Sequence, residues 1–222
     1  EYQTSRSMLK KKLIIFGTGD NGGQVFHIIK HLPEYEVVGF LDDDKSKWGS
    51  VFCGVPVYGG SSAIQEIQRL HQITHCITAI GNNRVRSDKN KLMTGFGLEL
   101  INAIHPKTLI DDTAVFGLGV IVEMGASVHP YAVIGDGVFL AGGSIVAHNS
   151  RVGEYSLIAG GVVFGGAAKV GSFSLVGVGS SLQPYVSVGS HCVIGVGSAV
   201  VRDVPDYSVA YGVPARVARK NR

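Results

Sequence analysis

The second half of the chain carries a hydrophobic residue at every sixth position, from Ile110 to Val200. A small or β-branched residue often follows four positions later, as Ala126 and Ser150 do. Such a period is the signature of a parallel β-helix of hexapeptide repeats, in which each hexad forms one flat wall and three hexads form a triangular coil. The hydrophobic residue fills the interior and the small residue fits the corner, so the repeats predict about five coils. The hydrophobic positions are Ile110, Phe116, Val122, Val128, Ile134, Leu140, Val146, Val152, Ile158, Phe164, Val170, Val176, Leu182, Val188, Ile194 and Val200.

The first hundred residues instead alternate short apolar runs with segments of helical spacing. The apolar runs predict strands over 12–17, 36–44, 75–81 and 98–104, and the helical spacing predicts helices over 24–32, 61–70 and 82–93. Strands that alternate with helices indicate a parallel sheet. We therefore expect a Rossmann-like α/β domain over residues 8–105, followed by a β-helix domain with a C-terminal cap over residues 106–222. The α/β domain is expected to cap the N-terminal end of the solenoid, whose open ends need covering.

The carboxyl ends of the predicted strands carry glycine-rich and polar segments, and parallel α/β sheets bind ligands at that edge. The glycines of GTGDNGG (17–23) allow backbone N–H groups to approach a phosphate at a helix N-terminus, with a plain tight turn as the alternative. The acids after the second strand suit ribose or base recognition, with a solvated acidic loop as the alternative. The predicted substrate-binding residues are Gly17, Thr18, Gly19, Asp20, Asp42, Asp43, Asn82, Asn83 and Arg84.

His148 is the third residue of its hexad, counted from Val146. That position is a corner that points away from the interior, so His148 is not a core residue. A neutral imidazole near pH 7 is suited to taking a proton from an amine or hydroxyl nucleophile. An ordinary exposed histidine is the alternative interpretation.

Composition narrows the function classes without naming one. Apolar residues make up 45% and charged residues 17%, as in a compact globular protein, and the formal net charge of +3 is too small and scattered to indicate nucleic-acid binding. The three cysteines, Cys53, Cys76 and Cys192, are far apart and fit no metal motif, which favours reduced thiols in the cytoplasm. The apolar run 13–16 is too short for a signal peptide or a membrane span, so we expect no membrane insertion.

Short motifs follow one another along the whole chain. Besides the hexads and the glycine-rich first turn, they are FLDD (40–43), AIGNNRVR (79–86), IHP (104–106), VRDVPD (201–206) and YGVPAR (211–216). Together they resemble the sugar-nucleotide acetyltransferases of the sialic-acid O-acetyltransferase type, whose relatives N-acetylate UDP-4-amino-sugars for bacterial glycan synthesis. The resemblance implies a left-handed β-helix, a homotrimer, acetyl-CoA in a groove between neighbouring β-helices, and a nucleotide sugar held by the N-terminal domain.

The resemblance also assigns roles to individual residues. The catalytic histidine falls on His148, within VAHNSRVGEYSLIAGG (146–161), and the acid that normally follows it is Asn149 here. An amide oxygen can still fix the imidazole tautomer, but it supplies no negative charge. A second histidine that contacts the acyl-CoA falls on Leu157, so that contact is absent or comes from elsewhere. The remaining implied acetyl-CoA positions are Gly166, whose backbone N–H faces the thioester carbonyl, and the groove residues Val178 and Val196.

These roles imply direct acetyl transfer from acetyl-CoA to an amine, with His148 as general base and without a metal. The closest rival is O-acetylation of sialic acid or a related sugar hydroxyl, and the departures at Asn149 and Leu157 keep a non-catalytic nucleotide-sugar-binding protein open. A γ-type carbonic anhydrase needs three zinc histidines, and an NAD-dependent oxidoreductase needs a complete glycine fingerprint; the sequence favours neither. The basic tail, made of Arg216, Arg219, Lys220 and Arg222, either contacts CoA phosphates or is solvated.

Overall fold

The computed structural model describes residues 10–221, so residues 8 and 9 of the predicted first domain and Arg222 of the tail lie outside the described residues. The N-terminal domain is a six-stranded sheet with three α-helices. Its elements are β1 (Lys11–Phe16), α1 (Asp20–Ile29), β2 (Tyr35–Leu41), β3 (Val51–Phe52), β4 (Val55–Gly59), α2 (Ile64–His71), β5 (His75–Thr78), α3 (Asn83–Gly95) and β6 (Glu99–Leu100). The strand order is β3-β4-β2-β1-β5-β6, and all pairs are parallel except the β3–β4 hairpin. The predicted Rossmann-like parallel sheet is therefore confirmed.

Three details of the predicted α/β domain are wrong. Helix α1 begins at Asp20 and not at residue 24, because Gly22 and Gly23 continue the helix instead of forming a loop. The β3–β4 hairpin was not predicted, since its strands are short and rest on the edge of the sheet. The predicted strand 98–104 is two strands, of which β6 pairs with β5 whereas β7 (Ala103–Ile104) already belongs to the β-helix.

The β-helix consists of two-residue strands stacked in three parallel sheets, which we call walls 1, 2 and 3. Wall 1 contains β7, β10 (Ile121–Val122), β13 (Phe139–Leu140), β16 (Leu157–Ile158), β19 (Leu175–Val176) and β22 (Val193–Ile194), extended by β24 (Ser208–Gly212) and β25 (Ala215–Lys220). Wall 2 contains β8 (Leu109–Ile110), β11 (Ser127–Val128), β14 (Ile145–Val146), β17 (Val163–Phe164), β20 (Ser181–Leu182) and β23 (Ala199–Val200). Wall 3 contains β9 (Val115–Phe116), β12 (Val133–Ile134), β15 (Arg151–Val152), β18 (Lys169–Val170) and β21 (Ser187–Val188). These strands make five complete coils and two walls of a sixth, as the period predicts.

The hexad positions form the core of the β-helix. From Val122 to Val200 every predicted interior residue is at most 3% exposed. The corner serines are buried as well, and some of their hydroxyls donate to carbonyl oxygens of the next coil: Ser156 Oγ lies 2.7 Å from Gly171 O, and Ser174 Oγ lies 2.8 Å from Gly189 O. These two serines therefore satisfy buried carbonyls that alanine would leave unpaired, whereas the Ser144 hydroxyl has no partner among the described residues.

The α/β domain packs against the outer face of wall 1 rather than over the N-terminal opening of the solenoid. Ile121 and Phe139 point outward from wall 1 and join one buried cluster with Val25 and Ile28 of α1. The expected N-terminal cap is therefore wrong, since the interior residue Phe116 of the first coil stays only partly buried. At the other end, β24 pairs with β22 and folds back on β25, so the closing segment extends wall 1.

Arg86 joins the two domains at their interface. It is the largest fully buried side chain, and its guanidinium donates hydrogen bonds to Ile80 O (2.9 Å) in the α/β domain and to Gly137 O (2.8 Å) and Tyr155 O (3.0 Å) in the β-helix. Burial lowers the pKa of Arg86 to about 10, so the guanidinium stays charged at neutral pH. The carbonyl oxygens replace the water that this charge loses.

We predict that Arg86→Lys lowers the free energy of unfolding by about 3 kcal/mol, because a single ammonium cannot reach carbonyl oxygens in both domains and leaves buried acceptors unpaired. Chemical denaturation of the whole chain measures this loss. Arg69→Lys is the matched control, since Arg69 is exposed on α2 of the same domain, and its effect is expected to stay within about 0.5 kcal/mol. Equal losses of stability in the two variants would contradict the role of Arg86 in joining the two domains.

Candidate active site

A cavity of about 440 Å³ opens at the carboxyl ends of β1, β2 and β5. It is lined by the predicted residues Gly17, Thr18, Gly19, Asp20, Asp42 and Asp43, and also by Asn21 and Lys89. Gly17 has a φ of +112°, and a Cβ placed on Gly22 would come within 2.2 Å of Gly17 O. The two glycines therefore let α1 start directly against the end of β1, which directs the α1 N-terminus and its free N–H groups into the cavity.

Asp42 holds the glycine-rich turn in place. Its carboxylate accepts hydrogen bonds from the Thr18 backbone N–H (3.0 Å) and hydroxyl, from the Asp44 N–H (2.9 Å) and from Lys47 Nζ (3.0 Å). Burial acts to raise the pKa of Asp42, but these hydrogen bonds outweigh it and lower the pKa to about 2. Asp42 is thus a fixed anion whose lone pairs are largely occupied by the protein.

Lys89 was missed by the sequence analysis, although it lies in the crevice. Its Nζ pairs with Asp43, donates to Ser61 Oγ at 2.7 Å, and lies 4.8 Å from the centre of the Phe16 ring. Burial acts to raise the pKa of Asp43, but hydrogen bonds from Lys89 and Ser61 lower it on balance. The available signal was the position of Lys89 nearly two turns into the helix that follows β5, from where a long side chain reaches the carboxyl edge of the sheet.

Asn82, Asn83 and Arg84 do not line this crevice, and the prediction that they reach it is wrong for this structure. Asn82 caps α3, since its side chain accepts the Val85 N–H at 3.0 Å. Asn83 donates to Ser174 O of the β-helix at 3.2 Å, and the Arg84 guanidinium lies 5.8 Å from the centre of the Phe173 ring. All three residues are used to dock α3 or to start it, because the end of β5 faces the β-helix.

His148 lies at the exposed corner between walls 2 and 3, which we call the second corner, and contacts Gly166 in the next coil. A Cβ placed on Gly166 would come within 2.5 Å of His148 Nε2 and 2.6 Å of Cε1. The imidazole therefore occupies space that only a glycine leaves free. Within the described residues the Gly166 backbone N–H has no hydrogen-bond acceptor, so one donor and one imidazole lie side by side at the surface.

The other predicted transfer residues lie at separate places. Asn149 follows His148 in the left-handed region (φ +61°) and its backbone N–H donates to Pro130 O at 2.9 Å. Val178 and Val196 are 54% and 75% exposed at the corner between walls 1 and 2, which we call the first corner. Leu157 points outward from wall 1 and packs, partly buried, against the interdomain cluster. The acetyl-CoA roles of these residues stay predictions.

No group of three or more His, Cys, Asp or Glu side chains in residues 10–221 is arranged to hold a metal ion. In the same range, none of the helices has the length and apolar character needed to cross a membrane.

Comparison with known proteins matches both domains. The family model described as the PglD N-terminal domain matches residues 12–91, and the model of the bacterial transferase hexapeptide with six repeats matches residues 131–166. The UDP-N-acetylbacillosamine N-acetyltransferase of Bacillus subtilis (strain 168) is 30% identical over 114 residues. That match covers 50% of this chain, and this chain spans only about half (51%) of that relative.

Two solved structures match nearly the whole chain. The acetyltransferase domain of PglB from Neisseria gonorrhoeae FA1090, in complex with acetyl coenzyme A, is 28% identical with a TM-score of 0.87 and covers 95% of this chain and 100% of that one. PerB from Caulobacter crescentus, in complex with CoA and GDP-perosamine, is 31% identical with a TM-score of 0.79 and covers 94% of this chain and 97% of that one. The chain therefore belongs to the family of sugar-nucleotide acetyltransferases that join a PglD N-terminal domain to a hexapeptide-repeat β-helix.

Proposed function

We propose that this protein is an acetyl-CoA-dependent N-acetyltransferase that acts on a nucleotide-linked 4-amino sugar in bacterial glycan biosynthesis. The observation that carries the proposal is the contact between the exposed His148 imidazole and Gly166. The same chain holds a crevice of ligand size at the N-terminus of α1. The relatives described above, which bind acetyl coenzyme A in one case and CoA with GDP-perosamine in another, support both substrates.

The acetyl transfer is direct in this proposal. The neutral amine nitrogen attacks the thioester carbonyl carbon, and His148 Nε2 takes a proton from that nitrogen as the C–N bond forms. The unpaired Gly166 N–H donates to the developing oxyanion. The C–S bond then breaks, the CoA sulfur leaves as thiolate or takes up the proton as thiol, and the products are the acetamido sugar and free CoA.

The crevice in the α/β domain is suited to the nucleotide of this acceptor. The backbone N–H groups of residues 19–21 at the start of α1 meet the diphosphate, which the helix dipole favours. Lys89 adds a positive charge at the same edge. Asp43, whose side chain is 50% exposed, faces the cavity as an anion and presents oxygens to ribose hydroxyls or base N–H groups, whereas Asp42 contributes by holding the glycine-rich turn.

A homotrimer with acetyl-CoA between neighbouring subunits, in the cytoplasm, completes the proposal. Wall 2 presents Leu109, 78% exposed, and Val163, 41% exposed, on an otherwise flat face. Exposed apolar groups also flank this wall, with Tyr185 at the second corner and Val196 at the first corner. An apolar face of this kind is suited to covering by another copy of the chain.

We predict CoA release from acetyl-CoA with one member of a panel of UDP-, GDP- and dTDP-linked 4-amino sugars. His148→Ala is expected to lower kcat by about 10²- to 10⁴-fold, because the general base is removed. A thiol assay of released CoA measures both. Turnover with free sialic acid alone would contradict N-acetylation and favour the O-acetyltransferase, and binding of a nucleotide sugar without any turnover would contradict an enzyme.

We also predict that Gly166→Ala lowers kcat at least about 10-fold, because the added methyl group displaces the imidazole that now lies 2.5 Å from its position. The KM for the nucleotide sugar is expected to change little. Gly95→Ala is the control, since a Cβ on Gly95 meets nothing within 4 Å. An unchanged kcat in Gly166→Ala, with the fold intact by circular dichroism, would contradict the assigned position of the reacting carbonyl.

The assembly yields its own prediction. Val163→Glu places a charge on wall 2 and is expected to convert a trimer into a monomer in multi-angle light scattering, because burying an unpaired carboxylate is costly. Lys169→Glu on the exposed face of wall 3 is expected to leave the mass unchanged. A wild-type protein that elutes as a monomer would contradict the trimer.

A further inference from the structure

A second cavity of about 440 Å³, which we call the junction cavity, lies where α1 meets the β-helix. Gln24, His27 and Ile28 line it from one face of α1, and His31 lines it from the turn that follows the helix, on the same side. From the β-helix it is lined by His105, Glu123, Met124 and Gly142. The face of an amphipathic helix that packs on another domain is usually apolar. Here it carries two imidazoles and an amide, so packing alone does not explain its composition.

Of the residues that the structure describes, Glu123 is the only carboxylate that lines the junction cavity. Its Oε2 accepts the Gly142 backbone N–H at 2.8 Å, and among the described residues no cation pairs with it. Burial raises the pKa of Glu123, and the Gly142 hydrogen bond partly opposes that rise. A half-buried carboxylate without a positive partner is costly for the folded protein alone, and a cation that enters the cavity removes that cost.

His105 is not a ready counter-charge for Glu123. His105 Nδ1 accepts the Lys107 backbone N–H at 3.0 Å, which places the ring proton on Nε2. Burial lowers the pKa of His105, and the nearby His31 and Lys107 lower it further. The His31 ring packs edge-on to it at 5.0 Å between ring centres. The cavity thus combines one anion with a neutral imidazole donor, which suits a ligand that carries one cation and several hydroxyls.

The position of the junction cavity relates it to both substrates. Asp20 and Asn21 of α1 line the nucleotide crevice, and Gln24 lines the junction cavity one turn further along the same helix, about 6 Å away. A sugar attached to a diphosphate at the α1 N-terminus therefore extends toward Glu123. Glu123 and Gly142 belong to the first corner, whose later coils carry Val178 and Val196, where the acetyl-CoA groove is proposed.

His148 lies in the same coil as Gly142, at the other end of wall 2. In a trimer whose three copies pack wall 2 around an axis parallel to the solenoid, each coil lies at the same height along that axis as the corresponding coil of the neighbouring copies. The first corner of one copy then faces the second corner of its neighbour. His148 of a neighbouring copy is thereby brought to the junction cavity, while His148 of the same chain stays one wall away.

We propose that Glu123 binds the amine of the acceptor sugar in its ammonium form and so selects an amine over a hydroxyl. This inference rests on the proposed function and identifies the sugar side of that site. Before transfer the ammonium gives up one proton to solvent, and the neutral amine keeps an N–H···O hydrogen bond to Glu123 while it attacks. Glu123 is a specificity residue in this proposal and takes no part in bond formation.

The test is Glu123→Gln, which keeps an oxygen for the Gly142 N–H and removes the charge. Calorimetry measures the Kd of a matched pair of ligands, a nucleotide 4-amino sugar and the same nucleotide sugar with a 4-hydroxyl group. The unsubstituted protein is expected to prefer the amine by about 10-fold or more, and the variant is expected to bind the two almost equally, since a hydrogen bond to a charged group contributes that much. The KM for acetyl-CoA is expected to stay within about twofold, because the CoA groove is unchanged.

Glu154→Gln, an exposed carboxylate of the same domain, is the matched control and is expected to leave the amine preference intact. Equal weakening of both ligands by Glu123→Gln, or an unsubstituted protein without amine preference, would overturn the inference. Turnover of an amino sugar that Glu123→Gln leaves unaffected would overturn it as well, while the proposed function would stand. Absence of turnover with every acceptor would count against the proposed function, and the pair of binding constants would still decide the role of Glu123.

Discussion

The arrangement of the two domains depends on one buried cation. Among the described residues no carboxylate pairs with Arg86; its guanidinium is satisfied by carbonyl oxygens from both domains and by the Asn83 side chain. A fork of rigid donors can bridge several acceptors at fixed angles, which an ammonium cannot do. The α/β domain is consequently held against wall 1 in one orientation. Because the nucleotide crevice lies at the N-terminus of α1 and the junction cavity lies one turn further along the same helix, that orientation sets the path between them.

Glycines impose a second constraint, because in each domain the proposed site requires a backbone segment to lie very close to another group, either backbone or side chain. Gly22 allows α1 to start against the backbone of Gly17, and Gly166 leaves room for the His148 imidazole. In each case a methyl group would overlap an atom of the proposed site, so a larger residue would impair function as well as stability. The β-helix tolerates such positions because its fold is maintained by many equivalent hexads.

The hexad pattern made the walls and the interior of the β-helix predictable, since a strict period leaves one way to bury the hydrophobic residues from Val122 to Val200. The α/β domain was predictable in its sheet and helices but not in the β3–β4 hairpin or the start of α1. Those features depend on tertiary packing, such as the fit of Gly22 against β1. The same reason explains the errors at Asn82, Asn83 and Arg84, because sequence order places them at a strand end without showing that this end faces another domain.

The residues that depart from the family pattern become easier to understand in this structure. Leu157 packs with Phe139 at the interface of the two domains, where a histidine would bury a polar ring against apolar side chains. Asn149 leaves His148 without an adjacent carboxylate, yet Glu123 supplies an unpaired carboxylate at the first corner of the same solenoid. In the proposed trimer, the negative charge of the site lies on the side of the acceptor, at Glu123 of the copy next to the one that supplies His148. Such a shift weakens the base but strengthens the capture of a cationic amine, and binding energy gained there positions the nucleophile for attack.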